Sequence, residues 1–185
     1  MVNERNPSTR ERIIAVATTA FATQGFEQSS LREIAEELGF SKAALYYHFR
    51  SKEDLARAII VPMTEAFDDV LSAAEAQDNP DRETLLGEIF DLLFSHFAVY
   101  RVVMRDASIL RAVDLERWSG EWIERISHIL VGPDPDVVET VRAVMAVGGL
   151  ARTLFLTATM PPSTVKTEAV RAAMRVLDAD TKDES

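Results

Sequence analysis

Apolar residues recur at helical spacing through nearly the whole chain, and this period is what most restricts the fold. Leu31, Ile34, Ala35 and Leu38 fall at i, i+3, i+4 and i+7, so they share one side of a helix. Ile13, Ala17, Ala20, Phe21 and Gln24 follow one face of an earlier helix over Thr9 to Gln24. Strand-like alternation is nearly absent, so the chain reads as all-α. Gly25 and Gly39 each end a helix, the usual place for a residue in the left-handed conformation. A very short helix follows from Lys42 and a fourth starts near Lys52.

The helix starts are marked by serine. Ser8 with Glu11, Ser30 with Glu33 and Ser51 with Asp54 have capping-box spacing, in which serine takes a backbone N–H and the acid returns to the cap. Ser41 is an equally good cap, and Phe40 can staple onto Leu45 across it, but its box position is Ala44. A carboxylate there would repel any anion approaching that helix end. The stretch "SKAALYYHF" (Ser41 to Phe49) thus holds a lysine, two tyrosines and a histidine with no acid, in a chain of net charge −10. Up to Lys52 the balance is +1, and the remainder carries −11. An overall acidic chain is not built for indiscriminate nucleic-acid binding, so any such contact must be local.

Beyond Lys52 the period predicts helices over Lys52–Ala76, Arg82–Tyr100, Val102–Ala112, Leu115–Val131, Asp136–Thr159 and Thr164–Leu177, about nine in all. Pro62 inside the fourth predicts a kink. The tail "DADTKDES" reads as frayed. With 185 residues, 47% of them hydrophobic, the chain can bury a real core. There is no cysteine, which excludes disulfides, thiolate metal sites and a cysteine nucleophile. The polar N-terminus is no signal peptide, and Gly148, Gly149 and Arg152 interrupt the longest apolar run, so no membrane span is expected and the reading is cytoplasmic. Three scattered histidines (His48, His96, His128) with no HExxH and no glycine-rich phosphate loop argue against an enzyme, and no metal or cofactor is expected.

Leu31–Leu38, the turn Gly39-Phe40-Ser41 and Lys42–Phe49 make a helix-turn-helix. Leu45 and Phe49 are i and i+4 and face the first two helices, which leaves Lys42, Ala43, Tyr46 and Tyr47 outward. Spacing alone leaves open an ordinary helical corner. The stretch "AFATQGFEQSSLREIAEELGFSKAALYYHFRSKEDL", however, resembles the DNA-binding domain of the TetR family of bacterial regulators, with Ala20-Phe21, Gly25-Phe26, Ile34-Ala35, Gly39, Ser41, Leu45-Tyr46, His48-Phe49 and Lys52 in register. The resemblance covers about Arg10 to Ile60.

That resemblance implies a DNA-binding domain over residues 1–53 and a helical effector-binding and dimerisation domain over 54–185. It implies base reading by Lys42, Ala43 and Ala44 in the major groove, with Arg32 reaching a base from the preceding helix. Ser30, Tyr46, Tyr47, His48 and Lys52 are implied to contact phosphates and so to fix register. Glu36 and Glu37 are expected on a solvated face turned away from DNA. The implied function is a ligand-responsive repressor that binds a near-palindromic double-stranded operator as a homodimer. The alternatives are a ligand-independent regulator or activator, and, further off, a small helical enzyme.

The acidic remainder supports the other two implied roles. The small-residue helix near 136–159 is apolar round most of its circumference and, with the helix near 164–177, is expected to pair with a second copy. Met63, Phe67, Phe90, Phe94, Phe97, Trp118 and Trp122 are the candidates to line an apolar pocket for a small lipophilic or aromatic effector, and the same residues would serve an ordinary core. His96, Arg105, Asp106 and Ser119 are possible polar contacts there.

Overall fold

A computed structural model describes residues 7–115, 117–156 and 160–179, excluding the side chains of Ser119 and Leu156. Among these residues ten helices follow in order: α1 Thr9–Gln24, α2 Leu31–Glu37, α3 Lys42–His48, α4 Lys52–Glu75, α5 Arg82–Ser95, α6 Phe97–Arg105, α7 Ser108–Ala112, α8 Trp118–Val131, α9 Val137–Leu156 and α10 Pro162–Leu177. No strand occurs among the described residues. The chain divides into two compact units, one through Thr64 with Ala98–Glu116, the other Glu65–Phe97 with Arg117 onward. The expected division of function at residues 53 and 54 falls inside the first unit, and α4 contributes residues to both.

In the first unit, Ile13, Ala17 and Phe21 of α1, Ile34 and Ala35 of α2, Leu45 and Phe49 around α3, and Leu55, Ile59 and Ile60 of α4 form one buried cluster. Phe21 meets Phe26 edge to face at 5.3 Å. Val102, Ile109, Leu110 and Val113, from α6 through α7, complete the same cluster. Each large side chain so buried contributes about 1.5–3 kcal/mol.

The end of α2 shows how backbone accounting makes the turn. The Phe40 N–H donates to the Ala35 carbonyl at 2.8 Å and the Gly39 N–H to that of Glu36 at 3.1 Å. These paired bonds are a Schellman closure, which needs a left-handed residue, and Gly39 supplies φ +68°. At the helix starts, Ser8–Glu11 and Ser30–Glu33 form reciprocal boxes. The third box is incomplete: Ser51 accepts the Asp54 N–H at 3.1 Å, but the Asp54 carboxylate takes the N–H of Arg50, one residue earlier. Aspartate has one methylene fewer than the glutamates of the other two boxes.

In the second unit, α10 packs on α9 and α5. Val165, Ala169, Val170, Ala173 and Leu177 of α10 are buried, as are Leu86, Ile89, Phe90 and Leu93 of α5 and Ala143, Val147, Leu150 and Leu154 of α9. Arg125 of α8 ties that helix to the second half of α4, bonding Asp68 at 2.9 Å, Glu75 at 2.8 and 2.9 Å, and Ser72 at 3.1 Å. Glu75 holds the Arg125 guanidinium above its ordinary value, and Arg125 holds the Glu75 carboxyl below its own.

Expected and observed boundaries differ where polar side chains redirect the backbone. The helix expected to run to Tyr100 stops at Ser95, whose hydroxyl bonds the Leu92 carbonyl at 2.9 Å. The helix expected over Val102–Ala112 is cut at Asp106, whose carboxylate accepts the Ser108 N–H at 3.0 Å and starts α7. Leu115 stands before α8, which begins at Trp118, and the Thr159 end of the ninth expected helix and most of the tail lie outside the described residues. Helix α4 runs on through Pro62 as one element.

Candidate nucleic-acid interface

Helix α3 is held by its inner face. Leu45 and Phe49 are fully buried, and the Arg10 guanidinium lies 5.0 Å over the Phe49 ring. This fixes the outer face: Lys42, Ala43, Ala44, Tyr46 and Tyr47 are exposed, Tyr47 at 86%, and His48 is half-buried. The Ser41 hydroxyl accepts the Ala44 N–H at 3.1 Å with no acid returning, so the first turn of α3 carries no carboxylate. The Lys42 ammonium rests 5.5 Å over the Tyr46 ring, and Tyr47 meets His48 edge-on at 5.2 Å. Ammonium and ring faces attract in this way, which holds Lys42 along its own helix.

Lys42 and Tyr46 share an open depression of about 430 Å³ with the start of α2. Ser30, Arg32, Lys42, Tyr46 and Lys52 line it, and so does Arg50, which sequence reasoning did not single out. Among the described residues, four bases and no acid line this space. Ala43, Ala44, Tyr47 and His48 are not among its lining residues. Arg32 is already committed along its helix: its Nε bonds Glu36 at 2.7 Å, which raises its pKa. Glu36 therefore neighbours the basic face through Arg32, while Glu37 is exposed.

Lys52, expected to reach a phosphate, turns its ammonium elsewhere in this structure. Its Nζ donates to the carbonyls of Phe26 at 3.0 Å, Ser29 at 3.2 Å and Glu27 at 3.4 Å, and stands 4.4 Å over the Phe26 ring. An ammonium has three donors, and three acceptors take them.

The expected effector residues fall into separate groups. Phe67 of α4 meets Trp118 at 5.7 Å and Trp122 at 5.1 Å, both edge-on, and the two indoles lie 6.3 Å apart. Both indole N–H groups are buried with no hydrogen-bond partner among the described residues. Phe90 stacks on Phe94, which is half exposed, at 6.4 Å. Phe97 meets Phe155, a residue the sequence reading passed over, at 5.3 Å. Met63 is buried in the part of α4 that belongs to the first unit. Two open depressions of the second unit, about 650 and 520 Å³, are lined elsewhere, by charged residues such as Asp81, Lys166 and Arg171 in one and Arg82 and Glu139 in the other. Of the polar candidates, His96 is half-buried, which lowers its pKa, Arg105 is exposed, and Asp106 bonds within the first unit. The Ser119 side chain lies outside the described residues.

One apolar face is open. On α9, Val137 is 80% exposed, and Val138, Val141, Val144 and Met145 are each about half exposed. The helix starts with a reciprocal cap missed in the sequence, Asp136 with Glu139 at 2.8 and 2.9 Å, although the spacing was there to read. Among the described residues no group of side chains is placed to hold a metal, and no helix is long and apolar enough to cross a membrane.

A profile described as "Bacterial regulatory proteins, tetR family" matches residues 13–59, the helix-turn-helix and its supports. The HTH-type transcriptional regulator TtgR of Pseudomonas putida is 35% identical over 78 residues, 42% of this chain and 37% of TtgR. The icaADBC negative transcriptional regulator IcaR of Staphylococcus aureus is 26% identical over 85 residues, 46% of each. The chain thus spans less than half the length of either relative. A solved Clostridium perfringens structure, described as a fatty acid metabolism regulator, matches with a TM-score of 0.68 and 26% identity over 90% of this chain and 97% of that one.

Proposed function

This chain belongs to the TetR family of bacterial regulators, and from that premise we propose that it binds an operator in double-stranded DNA and represses transcription until a small molecule releases it. The observation that carries the DNA-binding half is the acid-free first turn of α3 above a depression lined by four bases. In a protein of net charge −10, that face is where a polyanion can approach. Lys42 donates to a base edge, with Ala43 and Ala44 close to thymine methyls, and Arg32 reads an adjacent base on leaving Glu36. Ser30, Tyr46, Tyr47 and His48 hold phosphates and set register.

A homodimer built on α9 and α10 would present two α3 helices to successive turns of one DNA face, about 34 Å apart. The open valine and methionine face of α9 supports this reading. The Phe67, Trp118 and Trp122 cluster supports an aromatic or lipophilic effector, because its two indole donors lack acceptors among the described residues. Repression is favoured by analogy with IcaR, whose name states negative regulation. Release follows if the effector binds the DNA-incompetent state more tightly.

The test is selection of duplexes from a random pool by the purified protein, followed by titration of the selected duplex with and without candidate effectors. Recovery of a near-palindrome that an effector releases is the expected result. An effector that binds the protein and leaves DNA affinity unchanged favours a ligand-independent regulator.

A further inference from the structure

The turn between α1 and α2 is gripped from two directions by residues distant in sequence. Gly25 enters it at φ +101°, a conformation that side chains disfavour. The carbonyls of Phe26, Glu27 and Ser29 converge on the Lys52 ammonium. On the donor side, the Glu27 N–H points to Asp106 Oδ2 at 3.3 Å, while Asp106 Oδ1 holds the Ser108 N–H at 3.0 Å. A β-carbon added at Gly25 would lie 3.3 Å from Asp106 Oδ2, so this glycine also makes room for the carboxylate. The buried Ser29 hydroxyl closes the turn on the Gly25 carbonyl at 2.8 Å. The ammonium thus collects the turn's acceptors and the carboxylate takes a donor, each charge matched to the backbone dipoles it meets.

The next residue is Ser30, which caps α2 and lines the basic depression. The resemblance puts Lys52 itself on a phosphate, yet in this arrangement its donors are spent on the turn. We propose that Lys52 and Asp106 are positioning residues: together they latch the 25–29 turn and so hold Ser30 and the start of α2 where they meet the DNA backbone. The inference rests on the DNA-binding reading above. It makes the α6–α7 junction part of the DNA-binding machinery through a residue that never touches DNA. Asp106 and the turn lie in the same compact unit, which lets the latch act locally.

The experiment uses the full chain and the duplex selected by the wild-type protein, with binding measured across a salt series under conditions where circular dichroism shows each variant folded. Lys52→Met and Asp106→Asn are each expected to weaken binding about tenfold, the effect of losing a charge-assisted hydrogen-bond set. The salt slope stays at the wild-type value, because the contact weakened is that of the neutral Ser30 hydroxyl and no cation is taken from a phosphate. Lys52→Arg, which keeps donors and charge, restores most of the affinity. Adding Ser30→Ala to Lys52→Met costs nothing further, because the latch acts through Ser30. Hydrogen exchange at the Glu27 and Ser29 amides rises in Lys52→Met and Asp106→Asn without any DNA present.

A slope that falls by about one for Lys52→Met assigns Lys52 to a phosphate and overturns the proposal. Additive effects of Ser30→Ala and Lys52→Met, or unchanged exchange at the turn, overturn it as well. Wild-type protein that recovers no duplex overturns the DNA-binding reading instead, and the exchange measurement then still decides whether the latch exists.

Discussion

The large exposed apolar side chains of the first compact unit are mainly Tyr46 and Tyr47, whereas in the second unit they are mainly aliphatic, with Val137, Val138, Val141, Val144 and Met145 on one helix. Both units are all-helical and both bury leucine, isoleucine and phenylalanine. What separates them is what remains outside. A tyrosine offers a ring and a hydroxyl, and so suits a wet, charged partner surface. A row of valines offers only area, and so suits a dry contact between proteins. The charge balance runs the same way, +1 up to Lys52 and −11 after it. On the proposed function, the difference teaches that one helical period can serve two kinds of recognition, with the partner's chemistry set by the residues the period leaves over.

The hardest way to break the comparison is from inside the first unit. Leu45→Ala removes a fully buried side chain that faces α1, α2 and α4, and is expected to cost about 3–4 kcal/mol. For a unit this small that is a large share of total stability. Thermal unfolding should show the first unit melting early and DNA binding lost with it. An unchanged melting profile would mean that α3 is not anchored through Leu45.

The second unit is tested from outside. Val141→Asp with Met145→Glu places two charges on the open face of α9 while leaving its buried residues alone. Sedimentation should shift from dimer to monomer, and operator affinity should fall because two half-sites are no longer read together. Monomer stability should hardly change, since surface substitutions typically cost within about 0.5 kcal/mol. A dimer that persists would move the interface off this face.

Much of this was legible in the chain. The first three helices, their serine caps and the left-handed glycines were readable because each is decided within four or five residues. Leu45 and Phe49 inward, with Tyr46 and Tyr47 outward, followed from the same local period. What escaped depends on partners far away in sequence. Nothing near Lys52 says that its ammonium will be met by carbonyls some 25 residues earlier, and nothing near Asp106 points to Glu27. Arg125 was unremarkable in sequence and joins α8 to Asp68, Ser72 and Glu75. The aromatic candidates scatter for the same reason: helical spacing puts Phe90, Phe94 and Phe97 on one stripe but does not say which neighbour each will meet.

Two smaller changes sharpen the comparison from each side. Lys42→Ala takes a donor from the outer face of α3 and, on the proposed base-reading role, should lose about 1–3 kcal/mol at one base position while relaxing preference there. Equal losses on selected and random DNA would end its role as a base reader. Arg125→Ala removes the ties of α8 to α4 in the second unit. Its side chain is 30% exposed and its acidic partners more so, so solvent screening discounts the four bonds to about 1–2 kcal/mol. Urea denaturation should show that loss in the second unit with operator affinity per folded dimer unchanged.

The finest distinction is in acid. Asp106 has its pKa lowered by Ser108 and by the backbone N–H groups of Glu27 and Phe26, against an opposing effect of burial. Its contribution is therefore fully present above the ordinary carboxylate value, about 4, and is lost as pH falls through the lowered one. His96, in the second unit, has its pKa lowered by burial, so its neutral form is favoured in the folded state. Protonation then favours the unfolded chain, and stability begins to fall once pH drops below the ordinary histidine value, about 6.5. Hydrogen exchange followed from pH 7 downward, corrected for intrinsic rates, should show the break between α5 and α6 loosening first, while the 25–29 turn keeps its protection to about pH 4. Substituting His96→Phe should remove the early loss and leave the late one. A turn that opens together with the His96 region would show that Asp106 does not hold it.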